Sequence, residues 1–223
     1  MSATAKATFD IHDVMELLKE AFPSWNAPVV TFMGQVERHP FKVLVATLIS
    51  LRTKDEVTGP ASLRLFDRAP TPEALAALAE EEIARLIYPA GFYRNKAKTI
   101  RAVCAKLLAE FEGKVPDDVE TLLTLPGVGR KTANLVVAAG FGKPAICVDV
   151  HVHRITNRWG YLRTKNPEET EFALREKLPA EHWAPFNSHL VAFGQTICKP
   201  VSPYCSKCPV AGYCMRRNVT TSR

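Results

Sequence analysis

Two sets of side chains in this 223-residue chain have the types and spacing to do chemistry. The first lies in LPGVGRKTANLVVAAGFGKPAICVDVH, from Leu125 to His151. It holds a turn with Gly127, Val128 and Gly129, then Arg130 and Lys131 opening an apolar run of helical character, then Asp149 eighteen residues past the lysine. Glycines let such a turn take positive φ and come close to another surface, and the unpaired N–H groups of the helix start behind it suit a phosphate. Arg130 and the positive end of the helix dipole disfavour a second positive charge at Lys131. An amine without its proton attacks a carbon electrophile, and a carboxylate such as Asp149 can move protons or steady a developing cation. The plainer reading is a helix–turn–helix corner with a solvated lysine, and a helix cap at Asp149.

The second set is Cys198, Cys205, Cys208 and Cys214, in the order C-x6-C-x2-C-x5-C, with Pro203, Pro209 and Gly212 bending the chain between them. Four of the six cysteines fall in the last twenty-six residues, and that crowding argues for a metal site over a set of disulfides. Four thiolates wrap one zinc ion or one iron–sulfur cubane, and ligand count does not separate the two. Cys104 and Cys147 sit in apolar segments and read as small core residues.

Helices must position these groups. Apolar positions recur at helical spacing from Val14 to Phe22, with Asp10 or Asp13 as N-cap and Pro23 as the stop; Pro28 and Gly34 bracket a connection. Pro40 opens a second helix, FKVLVATLISLRT, apolar nearly all round and so expected to be buried. Arg52, Lys54 and Asp55 interrupt that pattern, which on its own reads as a solvated helix end. A helix through Ala61–Phe66 follows, then one that Thr71 caps with Pro72 at its first position. After Gly91, Phe92 and Tyr93 stand among Arg94, Lys96 and Lys98. Rings beside cations suit a nucleic-acid surface, although the same rings equally read as core at a helix start. Pro116 and Asp117 start the helix before the glycine turn, and Gly140–Gly142 end the one after it. HVHRITNRWGYL is one more helix, and two others are broken by Pro179 and Pro185. His151 holds a helix start or meets a phosphate, His153 is incidental, and His189 is a satisfied core side chain. With almost no alternating strand pattern, the chain reads as all-α.

Composition sets outer bounds. Hydrophobic residues at 47% and charged residues at 23% fit a globular protein with a real core, and a net charge of +6 permits an anionic partner without identifying one. No apolar run reaches a membrane span and the first twenty residues lack the features of a signal peptide, so the reading is a cytosolic protein.

LPGVGRKTAN followed by VDVH resembles the helix-hairpin-helix DNA glycosylases of the endonuclease III family, over nearly the whole chain after the first twenty or so residues. The cysteine spacing resembles the same family's [4Fe–4S] loop, which favours iron over zinc. The resemblance implies a two-lobed fold, with a six-helix bundle over residues 33–143 and a helical iron–sulfur lobe from residues 1–32 and 144–223, and an active site in the cleft between them. It implies a bifunctional DNA glycosylase and AP lyase of base excision repair, a monomer associated with the nucleoid, acting on duplex DNA with a damaged base, oxidised pyrimidines first. Lys131 would be the Schiff-base nucleophile and Asp149 the catalytic carboxylate. Gly127, Val128, Gly129, Arg130, Arg52, Phe92 and His151 would meet DNA, Phe92 as a wedge. Where the family carries glutamine in the gap left by the flipped base, this chain has Arg52, a departure that bears on the opposite base. A monofunctional glycosylase acting on mismatches, uracil, thymine or adenine is the near alternative, although adenine glycosylases lack the lysine. A non-catalytic, metal-stapled DNA-binding module and a zinc-stapled protein-interaction domain are the alternatives of other classes.

Overall fold

A computed structural model describes residues 8–25 and 39–223, and every regular element among them is helical. Pro28, Met33 and Gly34, where sequence reading puts a connection and a domain boundary, lie outside the described residues. Helix α1 spans Ile11–Ala21; Asp10, not Asp13, caps it, accepting from the His12 N–H at 2.8 Å. Its buried positions Ile11, Val14, Met15 and Leu18 fall on one stripe, and a short 3-10 turn through Pro23 ends it.

Residues 39–145 form one compact unit. Helix α2, Pro40–Ser50, lies at its centre and buries eight of its eleven residues, from Phe41 to Ile49, as its all-round apolarity requires. Helix α3 runs over Asp55–Arg68, well beyond the Ala61–Phe66 segment. Asp55 is its first residue, where a carboxylate favours the helix dipole, and Pro60 is accommodated on an exposed side. Thr71 caps α4, Pro72–Ala76, by accepting from Ala74 N–H at 3.2 Å. The run then breaks, and three glutamates open α5, Glu80–Ile87. Helix α6 is Tyr93–Glu110. Helix α7 is a single turn, Val119–Leu122, capped by Asp118 and not started by Pro116 and Asp117; Asp117 instead pairs with Lys143. Helix α8 is Arg130–Leu135 and continues as a π turn through Gly140.

The second unit comprises residues 8–25 with 146–223. Its helices are α1, α9 at Val150–Trp159, α10 at Pro167–Lys177 and α11 at Trp183–Thr196, packed around Leu18, Trp159, Phe186 and Phe193. Gly160, at φ +83°, supplies the left-handed residue that stops α9. Pro185 does not break a helix. It is the third residue of α11, inside the first turn, where a missing N–H costs no intrahelical bond.

Candidate active site

The glycine turn is held by its neighbours. Leu125 and Val128 are buried, and the Val128 N–H closes the turn onto the Leu125 carbonyl at 3.2 Å. Gly127 takes φ +72°, and a Cβ there would lie 2.6 Å from Thr99 Cγ2, so only glycine fits this approach to α6. Gly129 differs from expectation: it is extended, at φ −100°, and serves as the N-cap of α8 with no side chain to occupy the first N–H groups. Arg130 leans on Glu120 at 3.5 Å, while Thr132, Ala133 and Asn134 turn into the core and Lys131 stands exposed.

Asp149 is 8% exposed and caps α9, its Oδ1 accepting from the N–H groups of His151 at 2.8 Å and Val152 at 3.0 Å. His151 Nδ1 lies 3.0 Å from Arg154 Nη2, and the same nitrogen donates to the Cys198 carbonyl at 2.9 Å. The start of α9 is thereby tied to the cysteine loop. His153 contacts Thr170 Oγ1 at 2.7 Å, a structural role. His189 is buried against Phe22, but its Nδ1 has no hydrogen-bond partner among the described residues, so it is a core histidine that is not satisfied.

Arg52 and Phe92 are brought together. The guanidinium lies 4.7 Å from the ring centroid, within cation–π range, and Phe92 is 58% exposed, which removes the reading of a core ring. Both residues take left-handed backbone, φ +54° and +58°, conformations that bulky residues keep only when their surroundings force them. Beside them lies Lys96. Contrary to its place among surface cations, it is 8% exposed, and its ammonium donates to the carbonyls of Ile49 and Leu51 at 2.6 Å each and to Thr53 Oγ1 at 2.7 Å. Burial pushes its pKa down to about 8, while three acceptors match its three protons. Thr53 Oγ1 in turn accepts from Gly91 N–H at 3.0 Å, and a Cβ on Gly91 would sit 2.5 Å from the Arg52 carbonyl. Sequence gave a signal for this only in the pairing of Gly91 with a polar residue five positions on; the acceptors lie more than forty residues away.

Cys198, Cys205, Cys208 and Cys214 line one cavity with Arg158, Trp159 and Phe193. Arg158 Nη1 donates to Cys198 Sγ and the Arg216 N–H to Cys214 Sγ, both at 3.3 Å, the kind of contact that favours thiolate. Burial pushes the Cys208 thiol up to about 12. No three of the four sulfurs lie within 4.8 Å of one another. Bonds of about 2.3 Å to a tetrahedral zinc would bring them to about 3.8 Å. Cys104 and Cys147 are buried core residues.

The chain matches the family model of the HhH-GPD superfamily base excision DNA repair protein over residues 45–180. Endonuclease III of Thermotoga maritima is 49% identical over 178 residues, 80% of this chain and 84% of that one. The chloroplastic endonuclease III homolog 2 of Arabidopsis thaliana is 42% identical over 90% of this chain, which spans 56% of the plant protein. A solved structure of a trapped endonuclease III–DNA covalent intermediate superposes with a TM-score of 0.81 at 37% identity, covering 94% of this chain and 97% of that one. The all-helical fold with its glycine hairpin therefore defines a helix-hairpin-helix repair protein, and the chain belongs to the HhH-GPD superfamily and, within it, to the endonuclease III family. It is a DNA glycosylase/lyase of base excision repair.

Replacing Lys96 by Met removes the donor from the buried Ile49 carbonyl and the half-buried Leu51 carbonyl and Thr53 hydroxyl, and is expected to cost roughly 1–3 kcal/mol. Thermal unfolding should report the loss, and hydrogen exchange should rise at residues 50–53 and 91–93. Lys98→Met, at an exposed neighbour, should change neither; equal behaviour of the two variants would remove the assignment.

Proposed function

We propose that the enzyme is bifunctional, with Lys131 as nucleophile and Asp149 as its carboxylate partner. The observation that carries this reading is the exposed Lys131 in the first turn of α8, directly behind a glycine hairpin whose N-cap residue puts no side chain between the helix start and a DNA phosphate. Gly127, Val128, Gly129 and Arg130 hold the backbone of duplex DNA, and His151 meets a phosphate. The damaged nucleoside leaves the stack, Phe92 wedges at the step it vacates, and Arg52 turns from the Phe92 ring to the base left opposite. A guanidinium offers five donors and no acceptor, so the orphaned base is read through its acceptors, unlike the two-way recognition of an amide.

In the reaction, the Lys131 amine attacks C1′, the N-glycosidic bond breaks and the base departs with a proton. Asp149 steadies positive charge at C1′ and moves protons as the sugar ring opens to an imine. Loss of a C2′ proton then expels the 3′ phosphate by β-elimination, and water releases the lysine. Asp149 suits the task because one oxygen anchors it to the start of α9, which fixes the carboxylate's orientation. Oxidised pyrimidines are the proposed substrates, and a single copy of the chain is the proposed active form.

Cys198, Cys205, Cys208 and Cys214 hold a [4Fe–4S] cluster, a reading supported by sulfurs spaced too widely for one zinc ion. The cluster's contribution is to brace its loop, and Lys199, Lys207, Arg216 and Arg217 around it face the DNA backbone. Protein purified without oxygen should contain iron and acid-labile sulfide in equal amounts, about four of each per chain; one zinc per chain and no sulfide would overturn this part.

On a duplex with one abasic site, Lys131→Gln should lose strand cleavage by roughly a thousandfold or more while binding stays within a few-fold. Asp149→Asn keeps an oxygen for the α9 cap and should slow cleavage about 10²–10⁴-fold. Full activity in Lys131→Gln would remove the lysine from the mechanism.

A further inference from the structure

A second group of ligating side chains uses none of the residues above. His12 lies in the first turn of α1, and Glu181 and His182 end the 3-10 turn Ala180–His182 that leads into α11. His182 Nε2 is 3.0 Å from His12 Nδ1, and Glu181 Oε1 is 3.7 Å from the same nitrogen. Bonds of 2.0–2.1 Å in a tetrahedral zinc site place neighbouring nitrogen and oxygen ligands roughly 3.3–3.4 Å apart. The two observed separations bracket that value. All three ligand atoms lie within 4.8 Å of one another, the one such group among the described residues.

The chemistry of the set favours a cation. Without one, the two facing ring nitrogens share a single N–H between them, whichever tautomer supplies it, with the Glu181 carboxylate alongside. A divalent ion satisfies two ring lone pairs and a carboxylate together. The side chains of His12 and Glu181 are 55% and 63% exposed, so an ion enters from solvent and water completes its coordination. Glu16, one turn along α1 from His12, adds negative charge beside His182 while its carboxylate contacts Lys19 at 3.3 Å.

We propose that His12, Glu181 and His182 form a surface site for a divalent transition-metal ion of the zinc type, separate from the cysteine loop, that clips α1 to the start of α11. The two histidines are 170 residues apart in sequence, so a bond between them closes a long loop. Along α1 the clip joins the buried stripe from Ile11 to Leu18 and the bond from Tyr213 to Asp13 Oδ2 at 2.9 Å, which hold the same helix.

The test is calorimetric titration of zinc chloride into the cofactor-loaded protein, wild type against His12→Ala, His182→Ala and Glu181→Gln, with Tm read with and without zinc. Any zinc taken by the cysteines is common to all four proteins and cancels. The wild type should bind one more zinc per chain than the variants, or bind it at least about a hundredfold more tightly, because even groups that only orient a ligand are worth 10–100-fold. Zinc should raise the Tm of the wild type alone. If a histidine variant fails to fold, Glu181→Gln carries the comparison, since it keeps the shape of an exposed side chain. Equal zinc binding and equal Tm response in all folded proteins would overturn the site and leave a histidine–histidine hydrogen bond.

Discussion

The functional end of α8 depends on close approach to its neighbours at two glycines. At Gly127 the chain comes against Thr99 of α6 in a left-handed conformation, and at Gly140 a Cβ would lie 3.0 Å from Pro40 Cα at the head of α2. These two contacts fix the helix at both ends. With Thr132, Ala133 and Asn134 directed into the core, the helix has one rotation available, and it puts Lys131 outward. A helix start with no side-chain cap and two cations in its first turn is unfavourable in isolation, and the packing of the rest of the unit supports it.

A similar economy links the two surfaces proposed for DNA. Lys96 draws three oxygens, from Ile49, Leu51 and Thr53 on either side of Arg52, around one buried ammonium. In the other unit, Arg154 joins His151 to the Cys198 carbonyl, and Arg158 reaches Cys198 Sγ and the carbonyls of Lys199 and Pro200. Long cationic side chains of this kind form buried scaffolding in both units, so net positive charge overstates how much of the chain is free to meet phosphate.

Much of this was legible in the sequence because it is local. Asp10 and Thr71 as caps, the buried α2, the glycine turn and the cysteine spacing each depend on residues a few positions apart. What escaped was either fine competition or distance. Asp117 and Asp118 are adjacent candidates for one cap, and the choice fell to Asp118 as Asp117 paired with Lys143 across the unit. The π turn after Leu135 and the placement of Pro185 inside α11 follow from packing that no periodicity records. Lys96 looked like a surface cation because its acceptors lie more than forty residues away. Asp149 is the instructive case: the plain reading as a cap is what its Oδ1 does, and the catalytic reading comes from the family to which the chain belongs.

The central claim is that one particular amine becomes covalently attached to the sugar. Borohydride reduction of the protein with a duplex carrying a single abasic site, followed by proteolysis and mass spectrometry of the cross-linked peptide, tests it most directly. The account predicts a reduced adduct whose sugar remnant maps to Lys131. An adduct at another lysine, or at the N-terminal amine, or none from protein that binds the duplex, would contradict it.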